Sequence, residues 1–254
     1  MKHIKIYIGS ELIERDVPAN WGEVSPEDFV AIVSSNVLFC GMPIAAMQRL
    51  LRLDDDQVRW IMPADWWALK PEFEYLMCYS LIAKWMLPSI TLPDGRECFP
   101  PAADFDNVTW EEFVFADQLA QSENWAACAA TLYRPHLATY TEDQDPRIPF
   151  TKFGLSNRHT LFKQLPAQTL MAFSVNYLAL RRAMTSRYRY LFSGSASSSL
   201  SRGWPEISSE VLGSDVWNEQ RLATTSVNGV LSMINNAIHQ SHEQQRHERR
   251  ARRH

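Results

Sequence analysis

Proline opens or closes most of the apolar stretches in the first two-thirds of this chain, and that punctuation confines it to short elements. Proline has no amide proton to donate and its ring clashes with the preceding helical turn, so it is accepted at a helix start and rejected in the interior. Ser25-Pro26-Glu27-Asp28 is such a start: Ser25 caps, Pro26 takes the first helical position, and two acids sit at the positive end of the helix dipole. The helix is expected to run to about Ser35. Pro43 begins another to about Leu53, Asp54 to Asp56 cap a short one, and Pro63, Asp65 and Pro71 punctuate the next two. The stretch from Pro71 to Leu87 is the most core-like of the N-terminal half.

Two places read as strands instead. Ile4 to Ile8 alternate in character, Gly9-Ser10 interrupts, and Leu12-Ile13 resumes, the pattern of a short hairpin. A second small hairpin near residues 89–99 is centred on Pro93-Asp94-Gly95, a tight-turn composition. Thr109-Trp110-Glu111-Glu112 then predicts a capping box opening a helix to about Ala120, and Ser122 a cap for a helix ending at Tyr133. Residues 136–158 read as a loop, followed by a long helix from Pro166 to about Tyr190. The expected fold is therefore mainly α, with a short N-terminal β-hairpin and the second small hairpin. Its expected division is a main helical domain over 1–192, a flexible Ser-rich linker over 193–203, a C-terminal helical segment over 204–238 and a basic His/Arg-rich tail over 239–254.

With 254 residues, 46 % of them hydrophobic, the chain can bury a sizeable core. A formal charge of −4 gives no whole-protein attraction to nucleic acid or anionic membrane. The longest near-apolar run, Leu76 to Leu87, is interrupted by Lys84 and falls short of the ~20 residues of a spanning helix. Met1 to Gly9 lacks the continuous apolar core of a signal peptide, so a cytoplasmic location is expected. Cys40, Cys78, Cys98 and Cys128 are scattered outside any C-x-x-C pair and are read as reduced.

Several chemistries lack their residues. No two glycines stand one apart, which removes the dinucleotide fingerprint, and neither the P-loop nor the nucleophile-elbow pattern is present. His242 and His247 are five apart, so on one helix their rings diverge by about 140° and cannot share a zinc ion. No cofactor and no metal is expected. His239 and His242 read as solvated, His136 and His159 as surface or capping residues, and the paired acids Asp54 to Asp56, Glu111 with Glu112, and Asp143 with Asp145 as structural. Carboxylates distant in sequence can still converge, so a hydrolase using such carboxylates or His136 and His159 remains a reading to test.

The features that carry binding lie elsewhere. Arg246, Arg249, Arg250, Arg252 and Arg253 face only Glu243 and Glu248, so the tail holds about +3 and the rest about −7. These five arginines are the candidate partner-binding residues; the tail reads first as solvating the end of the last helix, next as docking an acidic protein and last as contacting nucleic-acid phosphate, with no aromatic to offer a base-stacking platform. Arg181, Arg182, Arg187 and Arg189 suit the C-terminal dipole of the long helix. Of nine tryptophans, Trp66, Trp67, Trp85, Trp110 and Trp125 sit in helical apolar patterns and read as core anchors; Met42, Met47, Met77 and Met86 read as core fillers that would also soften an apolar groove.

Three segments carry a resemblance. Val17-Pro18-Ala19-Asn20-Trp21-Gly22-Glu23-Val24 enters the first helix, Phe113-Val114-Phe115-Ala116-Asp117 continues the helix opened by Thr109, and Leu132-Tyr133-Arg134-Pro135 ends the next; the helical stretch from Arg158 to Tyr190 is a further echo. Over about half its length, in scattered pieces, the chain resembles proteins encoded by tailed bacteriophages and prophages. The resemblance implies a mainly helical tail-morphogenesis protein, such as a tail assembly chaperone that protects the tape-measure protein before the tail polymerises. It offers no catalytic residues, and the motif positions would set packing. The Ser-rich insert and the Arg/His-rich end depart from that pattern. The expectation is thus a non-enzymatic assembly protein with a helical protein partner, capable of oligomerising and without a membrane or nucleic-acid role. The alternatives are a virion component at a tail or neck junction and, further off, the hydrolase.

Overall fold

In the computed structural model the described residues are 1–35, 43–141, 144–152, 154–192, 204 and 216–251, the side chains of 216–219 and 249–251 excepted. The fold is mainly α with two small antiparallel hairpins, and its contacts group the chain into two units, residues 1–88 with 164–180 and residues 89–163 with 181–254.

The first unit opens with β1 (Lys2–Ile8) and β2 (Glu11–Val17), paired from Lys2↔Val17 to Ile8↔Glu11. The joining turn has Gly9 at φ +60 in its first central position, which a glycine occupies without a Cβ penalty. Alternation puts Ile4, Ile6, Ile8, Ile13 and Val17 into the core. Helices α1 (Pro26–Ser34) and α2 (Ile44–Leu51) follow, then α3 (Asp55–Arg59) and α4 (Pro63–Leu69). Ser25 caps α1 as expected, its Oγ accepting the Asp28 amide at 3.1 Å. Trp21 is the hub of this core: edge-on to Phe29 and Tyr75 at 5.7 Å, stacked on Tyr79, and donating its indole N–H to the Cys78 carbonyl.

The stretch expected to be most core-like forms 3-10 turns over Lys70–Met77 and Tyr79–Leu81 and then runs without a helix to Pro88. Its backbone finds a side-chain partner instead. The buried Asn176 amide donates to the Lys84 carbonyl at 3.0 Å and accepts the Met86 amide at 2.6 Å, satisfying two groups that helical bonding would otherwise use.

In the second unit β3 (Ile90–Thr91) and β4 (Glu97–Cys98) flank the Pro93-Asp94-Gly95 turn, with Gly95 at φ +84. Helices α5 (Trp110–Gln121), α6 (Trp125–Leu132) and α7 (Leu155–Phe162) pack in sequence. The cap of α6 is Asn124, which accepts the Ala127 amide at 3.3 Å, and not Ser122, whose hydroxyl donates back to Leu119 at the end of α5. α7 starts early enough to contain His159, which was expected ahead of a helix. Seven of the eight residues of α6 are buried, so its last carbonyls cannot reach water. Arg147 donates to the Leu132 carbonyl at 2.7 Å and Arg158 to that of Ala130 at 2.6 Å, which supplies both the missing bonds and the positive charge that a helix C-terminus favours.

The long helix α8 (Ala167–Ser186) contributes residues to both units, and α9 (Arg189–Phe192) follows. The single last helix expected from Val216 onward is two, α10 (Val216–Thr224) and α11 (Val227–Ala251), and α11 continues helically through most of the polar tail. Val227, Val230, Leu231 and Ile234 anchor its first half. The Ser-rich 193–203 stretch lies outside the described residues, as do Cys40 and Met42. Cys78, Cys98 and Cys128 are free thiols, and burial pushes Cys98 up to about 11.

Candidate interaction site

The segment Asp54–Leu69 is a capped helix, a tight corner and a second helix. Asp54 and Gln57 form a reciprocal capping box at the start of α3, 2.7 and 3.1 Å. Trp60 terminates α3, Ile61 turns into the core, and the Met62 amide is held by the Asp65 carboxylate at 3.2 Å as Pro63 opens α4. That spends the single charged side chain of α4, whose sequence is otherwise apolar all round. A helix of that composition is ordinarily covered on every side. This one buries Trp66 and Leu69 and leaves Pro63, Ala64, Trp67 and Ala68 exposed.

The result is a corner of the first unit that carries three exposed, largely apolar side chains. Trp60 is 70 % exposed, Met62 65 % and Trp67 60 %, with the Lys70 ammonium 4.9 Å from the Trp67 ring. Together these three side chains expose on the order of 400 Å² of mostly apolar surface. Tryptophan and methionine are also side chains that binding faces enrich. Of the tryptophans read as core, Trp66, Trp85 and Trp110 are buried, but Trp67 is not: neighbours on a helix point about 100° apart, so Trp66 and Trp67 cannot both face inward. Trp60 and Met62 were not singled out in the sequence. The available signal was the absence of any polar face between Pro63 and Leu69.

The five tail arginines fall at the end of α11. Arg246 is exposed, with a 3.8 Å pair to Glu243; Arg249 and Arg250 are on the helix; Arg252 and Arg253 lie outside the described residues. Of the histidines there, His239 lies against Tyr190 at 4.4 Å, and His242 and His247 are exposed. Arg181 does more than complement a helix dipole: its guanidinium pairs with buried Asp117, which also accepts the Trp204 indole N–H and the Gln121 amide.

Glu112 and Asp145 are engaged by arginine. Glu112 was expected to turn back to the Thr109 amide. Thr109 does cap α5, accepting the Glu112 amide at 3.3 Å, but the Glu112 carboxylate is buried chiefly against Arg134 at 3.0 Å and Arg147 at 3.7 Å. Burial raises its pKa and the two arginines oppose the shift; burial likewise brings Arg134 down to about 10. Asp145 is pulled the other way: its burial is outweighed by the hydrogen bonds of Arg147, and its pKa is lowered. His136 is exposed and stacked on Phe99 at 3.8 Å, while His159 is half-buried with its pKa lowered by burial; no contact among the described residues joins them. The described residues hold no group of three His, Cys, Asp or Glu side chains placed to share a metal ion, and no helix among them is long and apolar enough to cross a membrane. A cleft of about 370 Å³ between α1 and α2 has Arg49 in its wall, but that guanidinium is committed to Asp28 at 2.7 Å and Glu27 at 3.3 Å.

No known family, no curated protein and no solved structure matches this chain.

Proposed function

We propose that this protein is a non-enzymatic assembly factor of the tailed-phage kind, chaperone-like, which holds a helical partner such as a tape-measure protein in the host cytoplasm until the tail is built. The single observation that supports this reading most is the exposure of Trp60, Met62 and Trp67 around the corner between α3 and α4, the last of them on a short helix whose one charged side chain is spent on its own cap. Helix-in-groove and helix-on-face recognition use such surfaces, with aromatic anchors supplying most of the affinity. The sequence resemblance supplies the phage setting.

The test is co-expression with the product of the neighbouring long helical reading frame, pull-down, and mass spectrometry of finished particles. Capture of that product together with absence from particles is the expected result. Stoichiometric presence in particles would make the protein a virion component instead, and failure of both would reopen the hydrolase.

A further inference from the structure

Beyond His239, which lies against Tyr190 at 4.4 Å, α11 continues as a helix to Ala251. Every residue from Gln240 to Glu248 is exposed, about two and a half turns of helix open on all sides. Two side-chain contacts run along the helix itself: Arg246 to Glu243 at 3.8 Å and Gln244 to Glu248 at 3.5 Å. A helix turns by about 100° per residue, so the positions of Arg249 and Arg250 fall about 60° and 40° to either side of Arg246. The same turn puts His239 and His242 in line with them, about 20° and 40° from Arg246, and sends Glu248 to the opposite side. Glu243 borders this basic side, and its pair with Arg246 is between exposed groups, which is worth little.

From Gln240 to Arg250 the helix contains no apolar residue. A protein partner docked there would find no area to desolvate, whereas binding to a phosphate polymer needs none: it is driven by release of condensed counterions, and its interfaces are polar and strongly basic. The cations from His239 onward, apart from histidine, are all arginine and never lysine, and the guanidinium fork matches phosphate oxygens two at a time. The want of an aromatic stacking platform bears on single strands and not on a duplex, whose phosphates are met by charge alone. We propose that this side of α11 binds the phosphate backbone of double-stranded nucleic acid, without regard to base sequence. The rest of the chain, at about −7, repels phosphate and confines the contact to this helix.

The experiment titrates the full-length protein into a fluorescent mixed-sequence DNA duplex and follows anisotropy as salt is raised. With three phosphates neutralised, affinity is expected to fall about 40-fold between roughly 50 and 200 mM salt. R246Q/R249Q/R250Q should lose binding, and R96Q/R182Q/R187Q, the same change of charge at exposed arginines elsewhere, should keep it within about twofold. Circular dichroism of each variant establishes that the fold is retained. Binding that survives R246Q/R249Q/R250Q, or that is lost equally in R96Q/R182Q/R187Q, would overturn the assignment to this helix. Poly-glutamate held as tightly as the duplex would make the occupant an acidic protein, and a single strand held more tightly would place the contact on bases; either would overturn the proposal, as would no binding at the lower salt.

Discussion

Arg134 donates from Nη2 to the Glu112 carboxylate at 3.0 Å with both side chains almost entirely out of water. The pair joins the first turn of α5 to the chain just beyond α6, and Asp145 and Arg147 complete the cluster. Removing two charges from water is expensive, and their attraction repays it only when every bond is made. A broken pair is therefore worse than no pair. R134M should lose about 3–5 kcal/mol in urea unfolding, and E112L/R134M should recover a substantial part of that loss. An additive double variant would mean that the two residues act separately.

Asp28 gives a pH dependence of definite sign. Its burial would raise its pKa, but hydrogen bonds from Arg52, Ser25 and Arg49 outweigh that and hold it below the usual carboxylate value. A depressed carboxylate stabilises the fold above its unfolded pKa, about 3.9, and loses that contribution as pH falls through the lower folded value. D28N should therefore cost about 2 kcal/mol at neutral pH and flatten the decline in stability of the parent below pH ~4. Parallel urea midpoints across that range measure it; an unchanged slope would contradict the assignment.

What was legible in the sequence was what is decided within a few residues. Ser25-Pro26 and the Gly9 and Gly95 turns are local devices, and each appears where the spacing put it. Glu112 was misread because its local option, the Thr109 amide, competes with Arg134, 22 residues on, and burial of α6 decides the outcome. The tail was set apart from the last helix because the apolar pattern stops at His239, yet glutamine, glutamate, arginine and alanine all propagate a helix that is already anchored at Val227 to Ile234. The exposure of Trp67 was hidden for a different reason. Composition marks Trp66 and Trp67 as equally apolar, and only the direction of burial separates them.

Two tryptophan sites should behave in opposite ways. Trp204 is buried, edge-on to Trp110 at 5.5 Å and Phe113 at 5.2 Å, with its indole N–H on Asp117. W204F removes that donor from a buried carboxylate and should cost about 1–3 kcal/mol. W60S/W67S, both at exposed positions, should change stability by less than about 0.5 kcal/mol. Thermal melts of the variants make the comparison, and a large loss in W60S/W67S would mark those side chains as structural.

The end of α11 should be dispensable for folding. His239 lies against Tyr190, while the described side chains beyond it are exposed. A chain ending at Gln240 should keep its urea midpoint within what about 0.5 kcal/mol allows, while losing any salt-sensitive retention on an anionic column. A drop beyond about 2 kcal/mol would show that the tail packs.

Hydroxyl-radical footprinting of the protein alone and with any helical partner captured by co-expression tests the proposed binding role of Trp60, Met62 and Trp67 most directly. Trp60, Met62 and Trp67 should be oxidised readily in the free protein and protected in the complex. Protection confined to other exposed apolar residues, such as Tyr7 and Leu12 on the N-terminal hairpin, with these three oxidised as before, would contradict it.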